Sequence, residues 1–182
     1  MVRRVAAMLV MGAVFAFLAS GAQTSVAQRR FAVDLSTGYV DGHRLLGRSI
    51  AGVTASFGAP SWRHPRYANA PLYRIGYGDR REPAMEVLFR RRSGMFRAVT
   101  VAFRKPPLAE SRLGSDMLAL TPREFTRAVF EKYKGMFTVA TPLKCAFRQC
   151  SVTLRLLGTS RYFSLGKLQR KPFGTYLSIW VP

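Results

Sequence analysis

Imidazole and carboxylate chemistry rests on very few residues in this chain. His43 and His64 are its only histidines, and nine acids stand against 29 lysines and arginines. Asp41-Gly42-His43 sets a carboxylate two positions from an imidazole, a pairing that can serve a general base or begin a metal site. A solitary loop histidine is more often simply solvated, and acids scattered among so many arginines pair with cations rather than with each other. No H-E-x-x-H, G-x-S-x-G or phosphate-cradling glycine loop occurs. We therefore expect no catalytic residue, no metal ligand and no cofactor, with a hydrolase built on His43 or His64 as the remaining enzymatic alternative.

Two groups of residues are better suited to binding. Arg90-Arg91-Arg92, with Met95 and Phe96 close behind, puts three guanidinium groups beside an aromatic ring at a predicted hairpin tip. Guanidinium groups hold phosphate or carboxylate through paired hydrogen bonds. The competing reading is a solvated turn whose charge discourages edge pairing. Trp62 and Tyr67 fall in a predicted loop over Ser61 to Ala70, where aromatics form contact surfaces more readily than in an alternating strand.

Cys145 and Cys150 are the only cysteines. An even pair five residues apart reads as one disulfide if the chain leaves the cytoplasm, and the spacing is neither C-x-x-C nor half of a recognisable zinc site. The N-terminus supplies that condition. Arg3 and Arg4, an apolar run from Val5 to Ala19 and the small-x-small triplet Ser25-Val26-Ala27 have the form of a secretory signal peptide, cleaved after Ala27. The rival, an uncleaved anchor, needs ~20 apolar residues. Gly21 and Ala22 stand where a lipoprotein would carry its lipidated cysteine. The expected location is periplasmic or secreted.

Cleavage there leaves 27 basic residues against nine acids, a charge of about +18. Solubility requires far less. So basic an exported chain is drawn to anionic phospholipid, glycolipid, wall polymer or acidic protein, and export argues against nucleic acid.

The elements that must position these residues alternate between short helices and strands. Ser49 caps a helix over Ile50 to Phe57, which buries Ile50, Val53 and Phe57 and stops at Gly58 and Pro60. Strands follow at Leu72 to Tyr77, Ala84 to Arg90 and Phe96 to Arg104, the last two reading as an antiparallel hairpin with one apolar face. Lys105-Pro106-Pro107 opens a connector. A second helix starts at Thr121 and Pro122 with Glu124 completing a capping box, and Gly135 marks its end. Strands are then expected at Met136 to Ala140, Ser151 to Leu157, Arg161 to Leu165 and Thr175 to Val181. The fold class is α+β, short helices on antiparallel sheet, and the layout suggests two tandem helix-plus-strands modules, although no residue-level repeat relates them. The segments are a leader over 1–27, an N-terminal arm over 28–45, one module over 46–105, a connector over 106–120 and a second module over 121–182.

Gly47-x-Ser49-x3-Val53-x3-Phe57-Gly58-x-Pro60, followed by Leu72-Tyr73-x3-Tyr77, Val87-Leu88-Phe89, a Gly94 turn and Val99, resembles the BamE family, also called the SmpA/OmlA domain. The likeness covers about residues 46–103, and the helix-on-sheet plan is also similar to the repeats of the secreted beta-lactamase inhibitor protein. Both resemblances imply a binding or scaffolding module with no catalytic residue to carry over. Members of the BamE family serving outer-membrane protein assembly are usually lipoproteins, and this chain lacks that cysteine. The expected function is an exported, non-enzymatic protein-binding or scaffolding module of the cell envelope. The alternative is a binder of anionic lipid, glycolipid or polymer.

Overall fold

The computed structural model describes residues 31–65, 72–104, 120–146, 149–168 and 175–182. The predicted leader, Tyr67 and nearly all of the connector lie outside them. Two helices pack on an eight-stranded antiparallel sheet, with a small hairpin beside them.

A hairpin, β1 (Val33–Asp34) and β2 (Tyr39–Val40), falls within the stretch read as an N-terminal arm. It is part of the core, because Phe31, Val33, Leu35, Val40 and Leu45 are all buried. Helix α1 (Ile50–Phe57) has its predicted bounds: the Ser49 hydroxyl accepts from the Gly52 N–H, and Gly58 closes the far end. Val53 and Phe57 face inward, the Phe57 ring lying 6.0 Å from Phe31 and 6.1 Å from Tyr77.

Four strands follow α1: β3 (Trp62–Pro65), β4 (Leu72–Gly78), β5 (Pro83–Arg92) and β6 (Met95–Phe103). Helix α2 (Pro122–Lys132) is then followed by β7 (Phe137–Ala146), β8 (Gln149–Leu156), β9 (Tyr162–Leu168) and β10 (Thr175–Trp180). The spatial order is β3-β4-β5-β6-β10-β9-β8-β7, so each half is a helix and a four-strand meander, and the last strands of the two halves pair. Leu177 against Phe103 and Ile179 against Val101 carry the apolar face across that seam. One contiguous core runs from Phe57 and Ile75 through Val87, Val101 and Ile179 to Phe163, Leu154 and Phe125.

Two differences from the sequence reading have local causes. The segment at Trp62 is a strand rather than a loop: β3 pairs with β4 at the sheet edge, setting Trp62 opposite Gly76. In the β5–β6 hairpin the predicted alternation breaks at Val99, an extra residue on β6, so Phe89 faces Ala98 while Val87 still faces Val101.

The opposite face of the sheet carries Trp62, Arg74, Glu86, Thr100, Ser178, Trp180, Ser164 and Thr153 by strand alternation. Glycine admits aromatic rings onto it at two places. A Cβ on Gly76 would lie 2.0 Å from the Trp62 ring, and one on Gly166 would lie 2.3 Å from that of Tyr176. In each case the ring covers the backbone of its direct cross-strand neighbour.

Candidate functional site

The histidines stand apart, and each has a structural setting. His43 is exposed at a β-bridge with Val40 and meets the Phe57 ring edge-on at 5.5 Å. The Asp41 carboxylate, two residues away, accepts from the Ala32 N–H at 2.8 Å. His64 lies on edge strand β3, where Nδ1 is 3.5 Å from Arg80 Nη2. The guanidinium can only donate, so the imidazole nitrogen accepts. Among the described residues no three of His, Cys, Asp and Glu come together to hold a metal ion.

The arginine tip is divided by its own strand. Ser93 and Gly94 take φ values of 48° and 79°, the twist of a tight antiparallel turn. Arg90, Arg91 and Arg92 are all exposed, but alternation sends Arg91 to the side opposite its neighbours. Arg91 Nε donates to the Gly94 carbonyl at 3.4 Å, and Arg92 Nη2 to the Pro182 carbonyl at 2.8 Å. Phe96 is partly buried and packs 5.6 Å from Tyr73. Trp62 lies flat over Gly76 with a buried Nε1 that finds no acceptor among the described residues.

Cys145 and Cys150 form a disulfide between directly opposed positions at the end of the β7–β8 hairpin. The bond fits an oxidising, extracytoplasmic compartment. Among the described residues no helix is long and apolar enough to cross a membrane.

The disulfide borders a feature that sequence reasoning missed. Helix α2 is well anchored: Thr121 Oγ1 accepts from the Glu124 N–H, and Glu124 Oε2 accepts from the Thr121 N–H at 2.7 Å. That backbone hydrogen bond holds the Glu124 carboxyl below its ordinary range, with further help from the Thr121 hydroxyl. Phe125 and Val129 point into the core, leaving Arg123, Thr126, Arg127 and Phe130 as a second stripe at i, i+3, i+4 and i+7. Between this stripe and β7 runs a groove of about 510 Å³, lined by Arg123, Thr126, Arg127, Val139, Pro142, Leu143 and Val152. It continues past Arg123 and Leu143 into a second cavity of about 280 Å³, bounded by Thr121, Pro122, Cys150 and Lys167. The helical spacing of Arg123 and Arg127 was visible in the sequence; the wall facing them was not.

Two exposed large hydrophobic side chains, Val139 and Leu143, line the groove. Six large hydrophobic side chains are exposed among the described residues, and five of them, Phe130, Met136, Val139, Leu143 and Leu157, fall between α2 and the end of β8. The sixth, Met95, is at the arginine tip.

A third concavity, about 380 Å³, opens on the opposite face below β7, between Thr138, Thr153, Arg155, Tyr162 and Trp180. Two of its polar groups meet at Ser164: Trp180 Nε1 donates to Ser164 Oγ at 3.0 Å, and Thr153 Oγ1 is 2.8 Å from the same oxygen. Tyr162 and Trp180 stack at 4.4 Å. Farther along that face the Gln149 side-chain N–H donates to the Tyr176 hydroxyl, whose pKa burial pushes up.

No family model, curated protein or solved structure matches the chain.

Proposed function

We propose that the chain is an exported, non-enzymatic binding module of the cell envelope, periplasmic or secreted, that holds another envelope or secreted protein. The observation that carries this is the groove between α2 and β7, which exposes Val139 and Leu143 on one wall and sets Arg123 and Arg127 on the other. Scattered apolar exposure is ordinary on a soluble protein, whereas a concentrated patch with a charged border marks a contact surface. Charge steers the approach and the apolar surface supplies the holding energy. The resemblance to BamE-like and inhibitor-repeat modules points the same way.

The test is in-cell crosslinking of the full chain, tagged at its C-terminus, in its native host at physiological salt. The same one or two exported proteins should be captured repeatedly, and capture should fall when Val139→Asp or Leu143→Asp is introduced. Capture of acidic material without selectivity, released by modest added salt, would instead identify a binder of anionic lipid, glycolipid or polymer.

A further inference from the structure

We propose that the groove between α2 and β7 is the docking site for a short, extended, acidic segment of a protein partner carrying at least one large apolar residue. This deepens the binding reading and rests on it. Val139, Pro142 and Leu143 form one wall, Val152 lies on the floor, and Arg123 and Arg127 rise on the other side. Lys167 adds a third cation where the groove runs on toward the start of α2. No carboxylate is among the described residues lining either cavity; the nearby Glu124 carboxylate accepts from the N–H of Thr121 and lies in the electrostatic reach of Arg127 and Lys167, so one acid stands beside the three cations. An apolar trough with cations on one side selects an occupant that is apolar and anionic at once.

Spacing and shape narrow that occupant. Arg123 and Arg127 are separated by ~6 Å along the helix axis. Same-side residues of an extended chain repeat every ~6.6 Å, so carboxylates two positions apart can each meet one guanidinium. The stretch of α2 and its cap that lines the two cavities, Thr121 to Arg127, spans ~9 Å along the helix axis, enough for about three extended residues. A second copy would bring its own arginine stripe and, once the leader is removed, a formal charge of about +18 against the first. Addition of a continuous strand to β7 is also disfavoured. Pro142 lacks an N–H, and the β7 register slips between Val139 and Thr141 and again between Thr141 and Lys144. Recognition therefore runs through side chains in the groove.

The experiment is selection of a random seven-residue peptide library on the immobilised full chain, followed by fluorescence anisotropy of the enriched peptides. Enriched sequences should carry two carboxylates and a large apolar residue within about three positions. Their affinity should fall about tenfold or more for Arg123→Glu/Arg127→Glu and for Leu143→Asp. Arg44→Glu/Arg48→Glu makes the same net change in charge just before α1 and should leave affinity within about twofold. All the substituted residues are solvent-exposed, and Arg123→Gln/Arg127→Gln provides a milder version whose melting temperature should match that of the parent. Absence of enrichment, selection of neutral or basic peptides, or equal weakening by Arg44→Glu/Arg48→Glu would overturn the proposal. Vesicles of anionic phospholipid retained by the parent but not by the groove variant, with no peptide enriched, would overturn it in favour of lipid. If in-cell capture of a partner survives Arg123→Glu/Arg127→Glu, the groove assignment falls and the binding role stands. If the parent captures nothing selectively, the binding role itself falls.

Discussion

At the residue scale the structure turns on close approaches that only one side-chain type permits. Trp62 rests on Gly76 so tightly that the alanine methyl group would sit 2.0 Å from its ring, and the neighbour is a rigid aromatic rather than the end of a flexible chain. Gly76→Ala must therefore lift the indole or bend β4 away from β3. Overpacking of this kind costs about 1–3 kcal/mol. Trp62 fluorescence should move to longer wavelength as the ring enters water, in the presence of Trp180→Phe to leave one reporter. An unchanged spectrum with unchanged stability would show that the indole is not held against the glycine. Trp62 stays half-buried while its ring covers Gly76, and the large hydrophobic side chains that are exposed lie elsewhere, at Met95 and from Phe130 to Leu157.

At the element scale α2 depends on its first turn. The Thr121 and Glu124 side chains each satisfy a backbone N–H that the helix cannot. Thr121→Ala should destabilise by about 1 kcal/mol. Glu124 adds a pH signature. Its folded-state pKa is depressed, so its contribution is complete above the ordinary value of 4.5 and is lost as pH falls through the lower folded value. The melting temperature of the parent should exceed that of Glu124→Gln near neutrality, and the gap should close on acidification. A gap independent of pH would show that the carboxylate charge plays no part. This cap was legible because Thr121, Pro122 and Glu124 are adjacent in sequence, and α1 was legible for the same reason through Ser49 and Gly58. Other elements depend on partners distant in sequence. Arg63, His64 and Pro65 give β3 no apolar alternation, so only pairing with β4 makes it a strand. All of β7 beyond Phe137 is exposed, so burial gave no signal for its ten-residue length. The groove was hidden because its arginines lie on one element and its apolar wall on another.

At the scale of the whole molecule, the two helix-and-meander halves share more than a boundary. They join through the β6–β10 ladder, where Leu177 meets Phe103 and Ile179 meets Val101 between fully buried side chains. Neither half can separate without exposing that row, and a sheet cut there would present two long apolar edges to water. The N-terminal hairpin binds them further: Arg161, just before β9, donates to the Thr37 carbonyl at 2.6 Å, while Phe31 lies 6.1 Å from Phe103 at the seam. The chain should therefore unfold in one cooperative step, although its layout suggests two modules. The tryptophans make the test direct, because Trp62 belongs to the first half and Trp180 to the second. Urea melts of Trp62→Phe and Trp180→Phe each report one half. Once each curve is referred to the circular-dichroism transition of the same variant, the fluorescence and secondary-structure midpoints should coincide. A fluorescence midpoint that departs from the circular-dichroism curve, in opposite directions for the two variants, would mean that the halves melt separately. The groove would then depend on the second half alone, since the described residues that line it all lie beyond the connector.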